Sequence, residues 1–313
     1  MKLKKFSKRY LVIFAGLIIL IIFLYPKDVG STTLTFVGDI MLSRDVGKII
    51  NKYNPEFPFL KIQDSISKAD IAFANLESPI SSRGEKLEKK YTFRADPKVI
   101  DGLNFAGFDV LSLANNHALD YGTIVLEDTL EILSENNMNY IGIKQESEIN
   151  SDPLIIEKNG VKFAFLAYYD IDHMKNVYKF NRDWYPQPRI LNEESLIKDI
   201  QNTKNKADII IISFHWGDEY NFIHNKRQEK IAHLAIDNDA NIIIGHHPHV
   251  LQEIEEYKEG LIAYSLGNFI FDQWSHEGVK DSVILEVEIR DKRIHDYKIK
   301  LIYINDEFQA VLK

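Results

Sequence analysis

The stretch GHHPHV, residues 245–250, sets His247 and His249 on either side of Pro248, directly behind the apolar run NIII. Imidazole is the commonest side-chain ligand for borderline divalent metals. Proline stiffens the backbone between the two rings, and three adjacent histidines are costly to bury unpaired, so the pattern points to metal ligation. Chemically capable residues recur where other apolar runs end: Asp39 in TFVGD, Asn75 and Glu77 in FANLE, Asn115, Asn116 and His117 in SLANNH, His215 in FHWG and Asn268 in LGNF. Each has a plain reading by itself: Asp or Asn there is a turn former or helix cap, and FHWG is a packing pair before a turn glycine. Their recurrence at successive run ends points to one shared site. His246 falls outside the His-x-His spacing and reads as support or packing. His173, His224, His233, His276 and His295 read as surface or ordinary polar histidines.

The elements that must position these groups are the runs themselves, at 33–39, 69–77, 108–117, 162–170, 207–217, 240–249 and 261–269. Nearly continuous apolar runs of this length predict strands covered on both faces. Residues 122–137, 192–205 and 225–239 have helical spacing, whereas 281–304 alternates as an antiparallel hairpin at a sheet edge does. This succession predicts α/β layering. The carboxyl ends of parallel strands in such sheets converge on one crevice, which would gather the candidate residues. With no internal repeat or second linker, one domain over residues 33–313 is expected.

Composition narrows the chemistry. At 313 residues and 45% apolar content, a large core forms without covalent staples. There is no cysteine, which excludes thiolate metal sites, thiol nucleophiles and disulfides. The net charge is −8; without the six basic residues and single acid of residues 1–28 the remainder stands at −13, which argues against nucleic acid as a partner. No G-x-S-x-G elbow, dinucleotide fingerprint or P-loop occurs. Residues 10–25 are uncharged and follow a basic tail, and IIFLYPKDVG offers bulky residues where a signal peptidase needs small ones. The expectation is a tail at 1–9, an uncleaved signal-anchor helix at 10–26, a linker at 27–32 and a main domain outside the bacterial cytoplasmic membrane.

The ordered set FVGDIMLSR, FANLES, LSLANNHALDYG, FHWG, GHHPHVLQ and YSLGNFIFDQ, in a match over about residues 33–272, resembles the CapA-type family of capsule-synthesis proteins. That family is named for poly-gamma-glutamate capsule and related to the calcineurin-like metallophosphoesterases. The resemblance implies a four-layer α/β/β/α sandwich with a divalent metal (manganese, zinc or iron) at the strand ends. By position, Asp39, Asn75, Asn116, His215, His247 and His249 match metal ligands, Glu77 lies just beyond Asn75, and His117 matches the catalytic histidine.

Two departures from the phosphoesterase pattern stand out. Met41 occupies the place of a ligand histidine, and Asn75 that of a bridging aspartate. Unless Glu77 supplies the missing charge, one metal or a weak second site is expected. The implied function is metal-dependent hydrolysis in capsule biosynthesis or export, with Arg44 clamping an anionic substrate group and polyglutamate synthase or export components as partners. The alternative is a non-catalytic assembly component with a structural or vestigial metal. Two further stretches, 83–98 and 168–189, read either as solvated or packed loops or as contacts for an anionic chain or partner.

Overall fold

Runs that are apolar at every position form strands buried on both faces, and in the computed structural model of this chain they make the centres of two sheets. The structure describes residues 30–144, 152–170 and 185–313. The expected anchor at 10–26 lies outside them, as do His173 and most of the 168–189 stretch.

The first part of the chain gives β1 (Thr32–Ile40), α1 (Arg44–Lys52), α2 (Gln63–Ile66), β2 (Ile71–Leu76), α3 (Val99–Ala106), β3 (Val110–Ser112), α4 (Thr123–Glu135), β4 (Asn139–Ile141) and β5 (Ile143–Lys144). The second part gives β6 (Leu154–Lys158), β7 (Val161–Asp170), β8 (Gln187–Pro188), α5 (Glu193–Thr203), β9 (Ile209–Trp216), α6 (Lys226–Asp237) and β10 (Ile242–His246). β11 (Ile254–Tyr257), β12 (Gly260–Ala263), β13 (Asn268–Ile270), β14 (Asp281–Arg290), β15 (Arg293–Ile304) and β16 (Ala310–Leu312) follow.

One sheet runs β16-β15-β14-β1-β2-β3-β4, with β13 beside the end of β1; the other runs β11-β12-β10-β9-β7-β6. β1 to β4 are mutually parallel, as are β7, β9, β10 and β12. Three apolar clusters hold the layers. Phe36, Phe73, Phe165, Ile211 and Ile244 fill the space between the sheets. Val46, Leu103 and Leu126 of α1, α3 and α4 cover the first sheet's outer face, and Leu196, Ile200, Ile231 and Ala235 of α5 and α6 cover the second's. The order is helix, sheet, sheet, helix.

Two expectations need correction. The run 261–269 is not one strand. Its first part is β12 of the second sheet and its last part is β13 of the first; the chain crosses at Gly267, whose φ of 72° suits glycine. The hairpin 281–304 is internal rather than at the edge: β14 sits against β1, and β16 covers β15.

The crossing brings Gly267 so close to β1 that a Cβ on Gly38 would meet its carbonyl oxygen at 1.9 Å. Glycine at 38 thus lets the two sheets meet at the residue before Asp39. Register then aligns Asp39 with Asn75 and Asn268 in one sheet, and His215 with His246 in the other.

Candidate metal centre

The carboxyl ends of strands from both sheets converge on one buried polar cluster. Asp39 Oδ1 accepts a hydrogen bond from Asn75 Nδ2 at 2.8 Å, and Oδ2 accepts from the His247 backbone N–H at 3.2 Å. His246 Nδ1 lies 3.1 Å from Asp39 Oδ1, and His249 Nδ1 lies 3.4 Å from Oδ2. His246, expected as support or packing, takes the first of these roles as a direct contact of the Asp39 carboxylate. His215 Nδ1 is 3.4 Å from Asn75 Nδ2, and its Nε2 is 2.9 Å from Asn116 Oδ1. Asn115 Nδ2 donates to Asn75 Oδ1 and to the Leu76 carbonyl, fixing the Asn75 amide. Asn268 Oδ1 lies 2.9 Å from His249 Nδ1 and orients that ring.

Ligand-type atoms fall into two groups, each within 4.8 Å: Asp39, Glu77 and His215 in one, Glu219, His247 and His249 in the other. Asp39, Glu77, His215, His247 and His249 are all buried, whereas Glu219 is exposed. Sequence reasoning missed Glu219. It follows the turn glycine after His215, and the only available signal was its place four residues beyond a candidate ligand. The backbone is unusual at the His-Pro-His turn, with φ of 94° at His247 and 59° at His249. Such conformations cost free energy and cluster at functional sites.

Electrostatics test whether a cation suits this cluster. Burial works to raise the Asp39 pKa, but hydrogen bonds and charge from His246 and His249 overcome it and hold the carboxyl well below its usual range. Burial, then the negative charges of Asp39 and Glu219, push Glu77 well above its usual range. Burial and the neighbouring His247 push His215 far down, leaving a neutral ring with a lone pair to offer. Glu77 Oε1 is buried without a hydrogen-bond donor, the nearest ring nitrogens, His117 Nε2 and His249 Nε2, being 3.7 Å away. A carboxylate oxygen in want of a positive partner, beside the neutral His215 ring and a second carboxylate, fits a divalent cation.

His117 stands at the rim. Its Nδ1 is 2.6 Å from Asp120 Oδ2, and its ring stacks on Phe93 at 3.9 Å between centroids. Burial lowers its pKa, and the Asp120 charge opposes that shift. Asp120 also accepts from Lys89 Nζ at 2.5 Å and from the Phe93 backbone N–H at 2.7 Å. Lys89 and Phe93 belong to the 83–98 stretch, so that part of the stretch is packed against the site rather than solvated. Arg44 is not among the ligand atoms. It reaches Asp272 at 3.2 Å, lies over the Phe93 ring at 5.4 Å and lines the wall of a cavity of about 360 Å³. His117, His249 and Glu219 line the same cavity, so it opens onto the cluster.

The profile of the family described as bacterial capsule synthesis protein PGA_cap matches residues 33–273. The capsule biosynthesis protein CapA of Bacillus anthracis is 34% identical over 85% of this chain and 66% of its own length. The PGA biosynthesis protein CapA of Bacillus subtilis (strain 168) is 32% identical over 92% of this chain and 75% of its own. The chain thus spans about two thirds to three quarters of the length of these relatives. Among solved structures, a putative 5'-nucleotidase from Staphylococcus aureus in complex with alpha-ketoglutarate superposes with a TM-score of 0.55 at 17% identity, covering 88% of this chain and 55% of that one. A hypothetical protein from Thermus thermophilus gives 0.54 at 16% identity, over 86% of this chain and 98% of that one. At these identities the likeness is one of fold.

Proposed function

We propose, for a chain that belongs to the bacterial capsule synthesis protein family, that it serves capsule biosynthesis or export at the outer face of the cytoplasmic membrane as a metal-dependent hydrolase. The observation that carries this reading is the buried Asp39–Glu77–His215 cluster, with its donor-less carboxylate oxygen, behind a cavity that His117 and His249 line. Asp39, Glu77, His215, His247 and His249 would hold the cation, with the amide oxygen of Asn116 against the His215 ring, whereas Asn75 turns its amide nitrogen to Asp39 and its oxygen to Asn115. Manganese, zinc and iron all suit such a set of nitrogen and oxygen donors. A divalent cation bound there supplies Lewis acidity and an acidified water.

The protein's own groups do the remainder. Asp120 accepts from His117 Nδ1–H and fixes that tautomer, which leaves Nε2 to exchange a proton with a leaving oxygen or an attacking water. Proton transfer of this kind is worth about 10²–10⁴-fold. Burial favours the neutral ring, suited to accepting a proton first. Lys89 holds the other oxygen of Asp120, and the Phe93 backbone N–H shares Oδ2 with His117. Arg44, oriented by Asp272 and the Phe93 ring, presents a planar fork to an anionic group. An anionic polymer of the poly-gamma-glutamate type, cleaved at its gamma-glutamyl amide, or an anionic phosphoester fits this arrangement, and synthase or export components are the expected partners. Residues 10–26 would provide the anchor. Among the described residues no helix is long and apolar enough to cross a membrane.

One observation favours a second reading: an amide at Asn75, where the resemblance implies a bridging carboxylate, removes charge that holds cations. A non-catalytic assembly component would retain the fold and a structural metal. His117→Ala separates the two. Under the hydrolase reading the variant keeps its metal and its cooperative fold but loses turnover of phosphoester or gamma-glutamyl amide substrates and lowers capsule output. Unchanged capsule output from a stably folded variant would favour the assembly role.

A further inference from the structure

We infer that Glu219 is a metal ligand that completes, with His247 and His249, an outer cation site beside the inner site of Asp39, Glu77 and His215, so that the centre holds two divalent cations. The inference rests on the metal-dependent reading above. It adds a ligand that the family resemblance does not carry.

Local structure delivers Glu219 to the histidines. The chain leaves β9 at Trp216 and turns at Gly217, whose φ is 82° and where a Cβ would meet the Gln228 side chain at 2.7 Å. Tyr220, with φ of 63°, then donates its backbone N–H to the carbonyl of Pro248 at 2.8 Å. The turn carrying Glu219 is therefore pinned to the middle residue of the His-Pro-His turn, and both turns hold non-glycine residues at positive φ. Asp218, the other acid of the turn, accepts from Asn225 Nδ2 at 2.8 Å, at the start of α6. Glu219 is the one directed at the ring nitrogens.

The charge balance asks for such a ligand. Two divalent cations a few ångströms apart repel strongly, and a shared or adjacent anion must offset them. With an amide at Asn75, the inner group offers only Asp39 and Glu77 against four positive charges. Glu219 brings a third carboxylate. Independently, Glu77 Oε1 is buried without a donor and faces His249 Nε2 at 3.7 Å, where the two groups meet. Asp39, Glu77 and His215 are buried, whereas Glu219 is exposed and lines the cavity with His249. The inner cation is thus shielded, and the outer one meets solvent and substrate. The outer cation should bind more weakly and leave first on chelation.

The test is manganese titration of the chelator-stripped full-length chain in detergent, read by calorimetry and by low-temperature electron paramagnetic resonance. The parent should bind two equivalents, the second more weakly, with a spin-coupled signal. Glu219→Gln and Glu219→Ala should each keep the tight equivalent, lose the coupled signal and weaken the second by roughly 10–100-fold or more, while Glu219→Asp recovers part of it. Because Glu219 is exposed, the variants should melt like the parent without metal. Two equivalents of unchanged affinity in both variants would overturn the inference, as would a parent that binds a single equivalent; both leave the hydrolase reading standing. A parent that binds none would overturn both.

Discussion

At Glu77 a fully buried carboxylate sits between Asp39 and Glu219 with one oxygen lacking a donor. Its folded-state pKa is raised well above the ordinary 4.5, first by burial and then by those charges. The stability this group contributes in the metal-free protein is therefore fully present below about the ordinary value and lost as pH rises through the elevated folded value. Glu77→Gln removes that dependence. In chelator the variant should melt progressively higher relative to the parent between pH 5 and pH 8, and its metal-induced rise should be smaller than the parent's, which should grow with pH. Thermal melts with chelator and with manganese at both pH values check this. At His117, substitution by Ala should cost about 10²–10⁴-fold in turnover with metal retained, and Asp120→Asn should lose part of the same factor; single-turnover assays decide. Asp39, Asn75, His215, His247 and His249 were legible because each ends an apolar run. Asp120, Lys89 and Glu219 were not, because they sit in loops where charged residues are ordinary, and only the folded chain brings them to the site.

Between residue and fold, the close approach of strands carries the site. A Cβ on Gly245 would meet the Tyr264 carbonyl oxygen at 1.9 Å and Trp216 Nε1 at 2.6 Å, so β10 can seat His246 only while residue 245 has no side chain. Gly245→Ala should destabilise by about 1–3 kcal/mol and weaken metal binding as the His-Pro-His turn shifts. Gly47 in α1 is the control: a Cβ there meets nothing nearer than the Leu42 carbonyl oxygen at 3.4 Å, so Gly47→Ala should stabilise by roughly 0.5–1 kcal/mol through helix propensity. Denaturant titrations of the two variants should move in opposite directions. The long strands and α4, α5 and α6 were legible as apolar runs and helical spacing. The division of 261–269 between two sheets was not, because its apolar content is the same on either side of the crossing. α1 was missed because only Val46 and Ile50 of its nine residues are buried.

For the whole molecule, the arrangement has two ends. β1 begins at Thr32, next to the expected anchor, and reaches Asp39 at the metal cluster, a rise of about 20–25 Å at roughly 3.3 Å per residue. The site thus lies at the opposite end of β1 from residue 32. A chain beginning at residue 30 should stay in the soluble fraction, unfold cooperatively and bind the same metal, while the full chain sediments with membranes; fractionation and melting of the two forms check this. Parallel strands and α/β layering were legible in the runs, and the sandwich in the motif order. The assignment of strands to two sheets was not, because strands buried on both faces carry no alternation to tell one sheet from the other.

The central claim is a metal centre at the converging strand ends. Metal analysis of the purified full-length chain, after incubation with manganese or zinc and alongside a His247→Ala/His249→Ala double variant, tests it most directly. Stoichiometric metal in the parent and loss of at least the outer equivalent in a folded double variant is the expected result. A fully folded parent that stays metal-free with both cations would contradict the claim.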